Sequence, residues 1–266
     1  MNTHKINVIV RKEWAEVFKN RMVLFTVAFL PLLMTAIPLT IIYATSGSGM
    51  AGTNLSDVPT SAMGSMCPAG ISGGGCLQVF LVSQFMLLFM ILPLAIPGTI
   101  AAYSIVGEKT TRSLEPLLAT PITTTELLIG KCLAAVIPAV VATYGAFAIF
   151  AIGTWFLVQD KTVLVALLDA RWLIAIGIVG PLLAILEVTF ALMVSSRVND
   201  PRVAEQISMV IIVPLLAGFF GQMSGLFILD KQLISVVAVV MVALDALMAY
   251  FAVQAFQREA ILTRWK

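Results

Sequence analysis

Six long apolar runs constrain this chain more than any other feature of its sequence. They cover residues 22–44, 78–104, 132–158, 172–195, 207–229 and 233–256. A helix needs roughly 20 apolar residues to cross about 30 Å of hydrocarbon. Lipid offers the backbone no hydrogen-bond partners, so continuous apolar runs of this length indicate helices and not strands. The sequence therefore predicts an all-α integral membrane protein with six transmembrane helices.

Composition supports the same class. Apolar residues make up 60% of the 266, charged residues make up only 11%, and the mean hydropathy is +1.02. Soluble domains are typically about one quarter charged. Because the six runs leave no room for an ordinary soluble domain, we expect a single transmembrane domain, residues 1–266. The first run is longer than the apolar core of a secretory signal, so we expect it to be retained as a span.

The distribution of Lys and Arg predicts the orientation. Thirteen of the 16 basic residues lie at the N-terminus, in the connections between spans two and three and spans four and five, and in the tail 257–266. Only Lys161, Arg171 and Lys231 lie on the other side. The positive-inside rule assigns the basic side to the cytoplasm. We therefore expect a multi-pass plasma-membrane protein with both termini in the cytoplasm, and nothing indicates nucleic-acid binding.

Residues 1–21 predict an amphipathic helix ahead of the first span. Its apolar residues recur at helical spacing: Ile6, Ile9, Val10, Trp14, Val17 and Phe18. Lys and Arg occupy much of the remaining surface, which suits a helix at the inner membrane interface. Two roles stay open. The helix anchors the first span, or it also contacts a cytoplasmic partner.

The connection 45–77 between the first two spans is glycine-rich and almost uncharged. It holds eight of the 18 glycines and neither Lys nor Arg, which favours a flexible exoplasmic loop. Cys67 and Cys76 lie within it, and two cysteines on the oxidising face of a membrane could form a disulfide. The methionines of this loop could hold cuprous copper, but methionine is common in membrane proteins, and we predict no metal site.

The sequence argues against an enzyme. His4 is the only histidine, so neither a Ser-His-Asp triad nor a histidine metal site can be assembled. The stretch Gly107-Glu108-Lys109-Thr110 lacks the glycine that precedes lysine in a phosphate-binding loop. We therefore expect no catalytic residues and no cofactor bound by this chain. Cys132, at the start of the third span, is predicted to be an inert packing residue.

Polar residues inside the spans are the candidates for a translocation pathway: Gln84, Glu187, Gln222 and Asp245. An acid at mid-membrane costs about 2.5–3.5 kcal/mol or more, so it is expected to face protein or water. In one interpretation the two acids are protonated and hydrogen-bonded to neighbours such as Thr189 or Gln84. In the other they take part in a cation- or proton-sensitive step or contact a polar group of a substrate.

Prolines and glycines inside the spans predict irregular helices and close packing. Five prolines are expected to kink their spans: Pro93, Pro97, Pro138, Pro181 and Pro214. Gly221 and Gly225 have the four-residue spacing of closely packed membrane helices, with Gly218 one turn earlier.

The connection between spans two and three, residues 107–126, is short, charged and interrupted by prolines. The helix of span two is predicted to run past Glu108 and to break near Glu115, where Pro116 suits the first position of a new turn. Thr123 and Glu126 have the spacing of a capping box at the start of span three.

An apolar cluster on this connection has a charged rim. The cluster consists of Leu114, Leu117 and Leu118. An apolar centre with a charged rim is typical of a protein interaction site. A turn that dips into the membrane with its leucines in lipid is the alternative.

The stretch GEKTTRSLEPLLATPITTTELLIGK, residues 107–131, resembles the loop between spans two and three of type-2 ATP-binding cassette (ABC) permeases. The opening RKEWAEVFKNR and the six-span layout extend the resemblance over the whole chain in outline. The resemblance implies that this loop is a coupling segment that docks into a groove of a separate ATPase. The implied contact residues are Glu108, Arg112, Leu114, Glu115, Pro116, Leu117, Leu118 and Pro121.

The same resemblance implies an assembly and a mechanism. Two permeases, as a homodimer or with a sister permease, would work with two ATPases that hold ATP and Mg, and would export a substrate by alternating access. Type-2 permeases often fold a re-entrant helix before span six, and residues 218–230 leave room only for a short one. A self-sufficient transporter or channel that handles ions at Glu187 and Asp245 is the alternative. The sequence does not indicate the substrate.

Overall fold

The computed structural model describes residues 3–47, 73–110, 122–226 and 229–255, and every regular element in these ranges is a helix. The helices are α1 (Thr3–Val17), α2 (Arg21–Gly47), α3 (Gly73–Phe89), α4 (Leu92–Thr110), α5 (Thr124–Leu157), α6 (Lys161–Leu167), α7 (Ala170–Ile174), α8 (Gly180–Arg197), α9 (Pro201–Ser208), α10 (Ile212–Met223) and α11 (Lys231–Ala255). A π-helical turn, Ala175–Val179, joins α7 to α8, and a 3₁₀ turn, Met209–Ile211, joins α9 to α10.

Six helical stretches are long and apolar enough to span a membrane. They are Val23–Thr45, Gly75–Ser104, Thr124–Leu157, Lys161–Arg197, Pro201–Met223 and Lys231–Gln254. The predicted fold class, an all-α membrane protein with six spans, is confirmed. Span two consists of α3 and α4, and span four includes the short helices α6 and α7, which the sequence analysis did not predict. Glycines 73–75, assigned above to the loop, form the first turn of α3.

Span two is the centre of the molecule. It packs against spans one, three, four and five, and α4 contacts α8 more extensively than any other pair of helices contact each other. Side chains such as Leu92, Leu94 and Ile96 of α4 are fully buried. Most side chains of spans five and six, by contrast, are at least partly exposed on the surface of the monomer. Polar side chains of span two such as Gln84 and Thr99 are therefore buried between neighbouring helices.

The prolines interrupt three of the helical stretches. Span two breaks at residues 90–91, just before Pro93, the π-helical turn precedes Pro181, and the 3₁₀ turn precedes Pro214. Proline removes one helical hydrogen bond, which explains irregular turns at these positions. Pro97 and Pro138 lie inside helices that continue through them, so no break occurs there.

Two aromatic side chains bind the carbonyl groups that prolines leave free. Pro138 cannot donate to the carbonyl of Ala134, and the indole Nε1–H of Trp14 in α1 donates to that oxygen at 2.9 Å. Pro181 cannot donate to the carbonyl of Gly177, and the hydroxyl of Tyr144 donates to it at 2.9 Å. Neighbouring helices commonly satisfy such groups inside membranes. Here these contacts also join α1 to α5 and span three to span four.

Helix α1 runs parallel to the first turns of α5. Lys5 is 4.0 Å from Glu126, and a Cβ atom on Gly130 would lie 2.8 Å from Cγ2 of Ile9. The 34 residues of α5 span about 51 Å, well beyond about 30 Å of hydrocarbon. The apolar face of α1 therefore packs against protein, along the end of α5 next to the predicted coupling segment. The location of α1 at the inner membrane interface stays a prediction.

The end of α10 differs from the predicted packing motif. Gly225 has φ 76° and lies outside the helix. The amide of Leu226 donates to the carbonyl of Gly221, and that of Gly225 donates to Gln222, which is the hydrogen-bond pattern of a Schellman cap. A Cβ atom on Gly218 would meet none of the described residues within 4 Å. Gly225 is needed for its left-handed backbone and lies outside α10, so Gly221 and Gly225 do not form a motif on one helix; close packing at Gly221 stays a prediction.

The described residues between 218 and 230 contain no separate re-entrant helix. α10 continues to Met223, and α11 begins at Lys231 after Asp230. The Asp230 carboxylate accepts a hydrogen bond from the amide of Leu233 at 2.8 Å.

Candidate functional site

The predicted coupling segment lies between the ends of α4 and α5. α4 continues through Thr110, which agrees with the prediction that the helix of span two runs past Glu108. The side chain of Glu108 lies outside the described part of the structure. The other seven implied ATPase contacts lie wholly outside it: Arg112, Leu114, Glu115, Pro116, Leu117, Leu118 and Pro121. Their role in docking stays a prediction.

The capping box at the start of α5 is confirmed. The Thr123 hydroxyl accepts a hydrogen bond from the amide of Glu126, and the Glu126 carboxylate accepts one from the amide of Thr123, both at 3.2 Å. Two helix-terminal amide groups are thereby satisfied, which fixes where span three begins. Glu126 is buried and also faces Lys5 of α1.

A buried polar cluster joins α1, α4 and α5 beside the same segment. Lys131 Nζ lies 2.8 Å from Glu13 Oε1 and 2.8 Å from the Ser104 hydroxyl. The Ser104 hydroxyl donates to Glu13 Oε2 at 2.5 Å. The Lys131 and Glu13 side chains are only 2% and 3% exposed. A charge this deeply buried is destabilising unless it is paired, and here each charge has a direct partner.

Sequence reasoning missed this cluster. It counted Lys131 as a cytoplasmic basic residue and gave Glu13 no role. One signal was present, because Glu13 lies one turn from Ile9, Val10 and Val17 on the apolar face of α1. An acid on that face needs a partner from another element. The identity of the partner depended on a contact 118 residues away in sequence.

Glu187, in α8, is the most deeply buried acid among the pathway candidates. Its side chain is 0% exposed, and neither carboxylate oxygen has a hydrogen-bond partner within the described ranges. It packs against α4 where that helix has Gly98, since a Cβ atom on Gly98 would lie 2.5 Å from Oε1 of Glu187. Gly98 is thus required for the close approach of this side chain.

The expected hydrogen-bonded neighbours of Glu187 do not bind it. The Thr189 hydroxyl donates to carbonyl groups of its own helix, those of Ile185 and Leu186, both at 2.9 Å. In the part of the chain that the structure describes, neither polar atom of the Gln84 side chain has a partner. The interpretation in which these residues satisfy the buried acids was therefore wrong.

The other three pathway candidates are also buried. Among the described residues, neither carboxylate oxygen of Asp245 in α11 has a hydrogen-bond partner. Gln222 is buried in the last turn of α10, where its Oε1 has no partner among the residues that the structure describes, and Gln84 lies in α3. Gln84, Glu187 and Asp245 have no hydrogen-bond partner for either polar side-chain atom among the described residues. None of the four candidates is therefore hydrogen-bonded to another. The structure therefore shows no hydrogen-bonded network that joins the four candidates.

A second carboxylate next to α4 was not predicted. The hydroxyl of Thr99 donates to Glu205 Oε1 of α9 at 2.6 Å and to the carbonyl of Ala95 at 3.0 Å. Gly98 and Thr99 are consecutive in α4. The carboxylate of Glu187 from span four lies next to Gly98, and that of Glu205 from span five is bound by Thr99. Sequence alone placed Glu205 in a cytoplasmic connection and gave no reason to single it out.

Comparison with known families accounts for this architecture. The model of the family described as ABC-2 family transporter protein matches residues 7–247, which includes all six spans except the end of the last. The chain belongs to the ABC-2 transporter family. Among curated proteins, none is significantly similar to it. The protein is therefore a multi-pass membrane permease of an ABC transporter, and members of this family work with an ATPase subunit.

The cysteines of this ABC-2 permease fall into two environments. Cys76 is buried in the first turns of α3 and is disulfide-bonded. Its predicted partner Cys67, like the rest of residues 48–72, lies outside the described residues, so the pairing stays a prediction. Cys132 is a free, partly buried thiol, in keeping with a packing residue.

Proposed function

We propose that this ABC-2 permease exports its substrate by alternating access, driven by a separate ATPase that docks on residues 107–126. The family membership carries the proposal, since it covers residues 7–247 and ABC-2 permeases work with an ATPase subunit. ATP and Mg would be held by that ATPase. Closure of the ATPase would move the coupling segment and bias the spans between inward-open and outward-open arrangements.

The helices on either side of the segment support this mechanism. α4 enters the segment at Thr110, and α5 leaves it at the Thr123–Glu126 capping box. Both helices belong to the buried core of the spans. α5 begins directly at the capping box and continues into the core. A displacement of the segment would therefore be passed along α5 to the helices at the centre of the molecule.

A second permease is part of the proposal. Large apolar side chains of spans one and five are exposed on the monomer, among them Phe25, Phe29, Val213 and Phe220. Such surfaces suit either lipid or another permease in a membrane. We propose a homodimer, or a dimer with a sister permease, in the plasma membrane with both termini in the cytoplasm.

Co-purification tests the docking of the ATPase. The tagged permease, gently solubilised from native membranes, is expected to retain an ATPase subunit. Changing Leu117→Asp together with Leu118→Asp is expected to abolish this binding, because two charges would replace the apolar centre of the contact. Leu226→Asp provides the control, since Leu226 is an exposed leucine beyond the last turn of α10, at the other end of span five from the coupling segment. An ATPase that is absent from the wild-type preparation, or that binds the double variant equally well, contradicts the proposal.

The unpartnered acids favour a proton- or cation-sensitive step within this transport cycle. Burial without a hydrogen-bond partner strongly destabilises the ionised form of a carboxylic acid. Glu187 is fully buried, and its carboxyl oxygens have no partner among the described residues. We propose that Glu187 is a neutral carboxylic acid in this conformation and ionises when α4 and α8 separate. Gln84, Gln222 and Asp245 would contribute further polar positions to the pathway.

Infrared spectroscopy tests the protonation of Glu187. The purified permease in lipid is expected to show the carbonyl stretch of a protonated carboxylic acid at neutral pH. Glu187→Gln is expected to remove one component of this band while the protein stays folded, because glutamine is similar in shape and uncharged. Asp245→Asn separates the contribution of the other acid, and Glu16→Gln, on the exposed face of α1, is the control. A band that Glu187→Gln leaves unchanged would refute the neutral acid.

A further inference from the structure

We infer that Glu13, Lys131 and Ser104 form a clamp that makes α1 and both ends of the coupling segment a single rigid unit. This inference rests on the proposed function, because it assigns these residues to the transmission of the ATPase movement. They are positioning residues. They hold the helices that flank the segment and make no contact with nucleotide.

The clamp joins three separate parts of the chain. Glu13 belongs to α1, Ser104 lies near the end of α4 before the segment, and Lys131 lies at the start of the third turn of α5 after it. All three pairs of side chains are in direct contact, at 2.5 to 2.8 Å. Since each group bonds to the other two, the cluster is closed and resists displacement of any one helix alone.

Further contacts of α1 with α5 strengthen the clamp along about three turns. The indole of Trp14 binds the carbonyl of Ala134, and Ile9 packs closely on Gly130. Lys5 faces Glu126 at the capping box. The contacts thus extend along α5 from Glu126 to Ala134, whose carbonyl Pro138 leaves free for Trp14. Such a continuous interface is expected to move as one body.

The clamp connects the first span to the displacement of the coupling segment. α1 and α2 are separated only by residues 18–20, and the backbone amides of Phe18, Lys19 and Asn20 are all hydrogen-bonded to α1. α2 begins at Arg21 and packs along α5, where Leu39 of α2 lies against Gly153. A push on the coupling segment would therefore move span one together with spans two and three, although span one is not connected to the segment in sequence.

Spin-label distance measurements test the clamp. Labels are attached at Ala15→Cys on α1 and Thr125→Cys on α5, both at exposed positions, in a Cys132→Ala background. In the permease–ATPase complex the distribution of the distance between the labels is expected to be narrow, and to be the same without nucleotide and after trapping with ADP and vanadate. Lys131→Met is expected to lose the narrow distribution, and the exchange Glu13→Lys with Lys131→Glu is expected to restore it.

Two variants make the test specific. Lys12→Met removes the lysine of an exposed ion pair on the same helix, Lys12 with Glu16 at 3.8 Å, and is expected to leave the distribution unchanged. If Lys131→Met does not fold, Glu13→Gln weakens the clamp while keeping a hydrogen-bonding group. A wild-type distance that shifts on trapping, or a distribution that neither Lys131→Met nor Glu13→Gln alters, overturns the inference. If no ATPase binds, the proposed function fails, while the nucleotide-free permease still reports whether the clamp holds α1.

Discussion

The Lys131→Met permease is expected to be less stable than wild type by roughly 3–5 kcal/mol, because Glu13 would remain as a buried charge without its partner. Methionine fills most of the volume of the lysine side chain, so the loss would arise from the charge and not from a cavity. The free energy of unfolding, measured with a denaturing detergent in mixed micelles, checks this value.

Two companion variants identify the origin of this effect. Lys12→Met, which breaks the exposed pair with Glu16, is expected to cost at most about 1 kcal/mol. Combining Lys131→Met with Glu13→Gln is expected to recover a large part of the stability, because no unpaired charge is then left in the cluster. If the double variant is as unstable as Lys131→Met alone, the buried charge of Glu13 is not the cause.

Gly98→Ala is expected to destabilise the contact between α4 and α8 by about 1–3 kcal/mol, a typical effect of overpacking. The new Cβ would lie 2.5 Å from Oε1 of Glu187 and 3.2 Å from both Cδ and Cγ. The Glu187 side chain is fully enclosed, so it cannot turn into solvent to make room. Thermal unfolding of the purified permease measures the effect.

Two further variants test whether the contact with Glu187 causes this loss of stability. Glu187→Ala in the Gly98→Ala background removes the side chain that the new methyl group meets, and is expected to restore part of the lost stability. Gly145→Ala in α5 meets nothing within 4 Å, so alanine's higher helix propensity is expected to leave the protein as stable or up to about 1 kcal/mol more stable. Equal losses for Gly98→Ala and Gly145→Ala would show that the contact with Glu187 is unimportant.

Local sequence patterns predicted the parts of this fold that need no distant partner. The six spans were predicted from the length of the apolar runs alone, because a helix in lipid must satisfy its own backbone groups. The Thr123–Glu126 capping box was predicted from a spacing of three residues, and it is present. The Gly221–Gly225 spacing was interpreted as a motif of one helix, whereas Gly225 lies outside α10 and is used for its backbone conformation at φ 76°.

The tertiary structure decided which polar residues are paired. Glu187 and Asp245 were singled out from sequence as buried acids, and both are buried without a partner among the described residues. Glu13 and Glu205 were not singled out, because their partners Lys131 and Thr99 are 118 and 106 residues away. A pairing of this kind depends on how helices pack, which a periodic pattern in one helix does not specify.

The sequence by itself thus determined the class of the protein, the number of its spans and the position of the segment between α4 and α5. These follow from the physics of the bilayer, which acts on each helix separately. Only the tertiary structure decided that α1 packs on α5, that Trp14 satisfies the carbonyl freed by Pro138, and that Gly98 makes room for Glu187. Those contacts depend on the shapes and polar groups of two helices at once, so they exist only after the helices have packed.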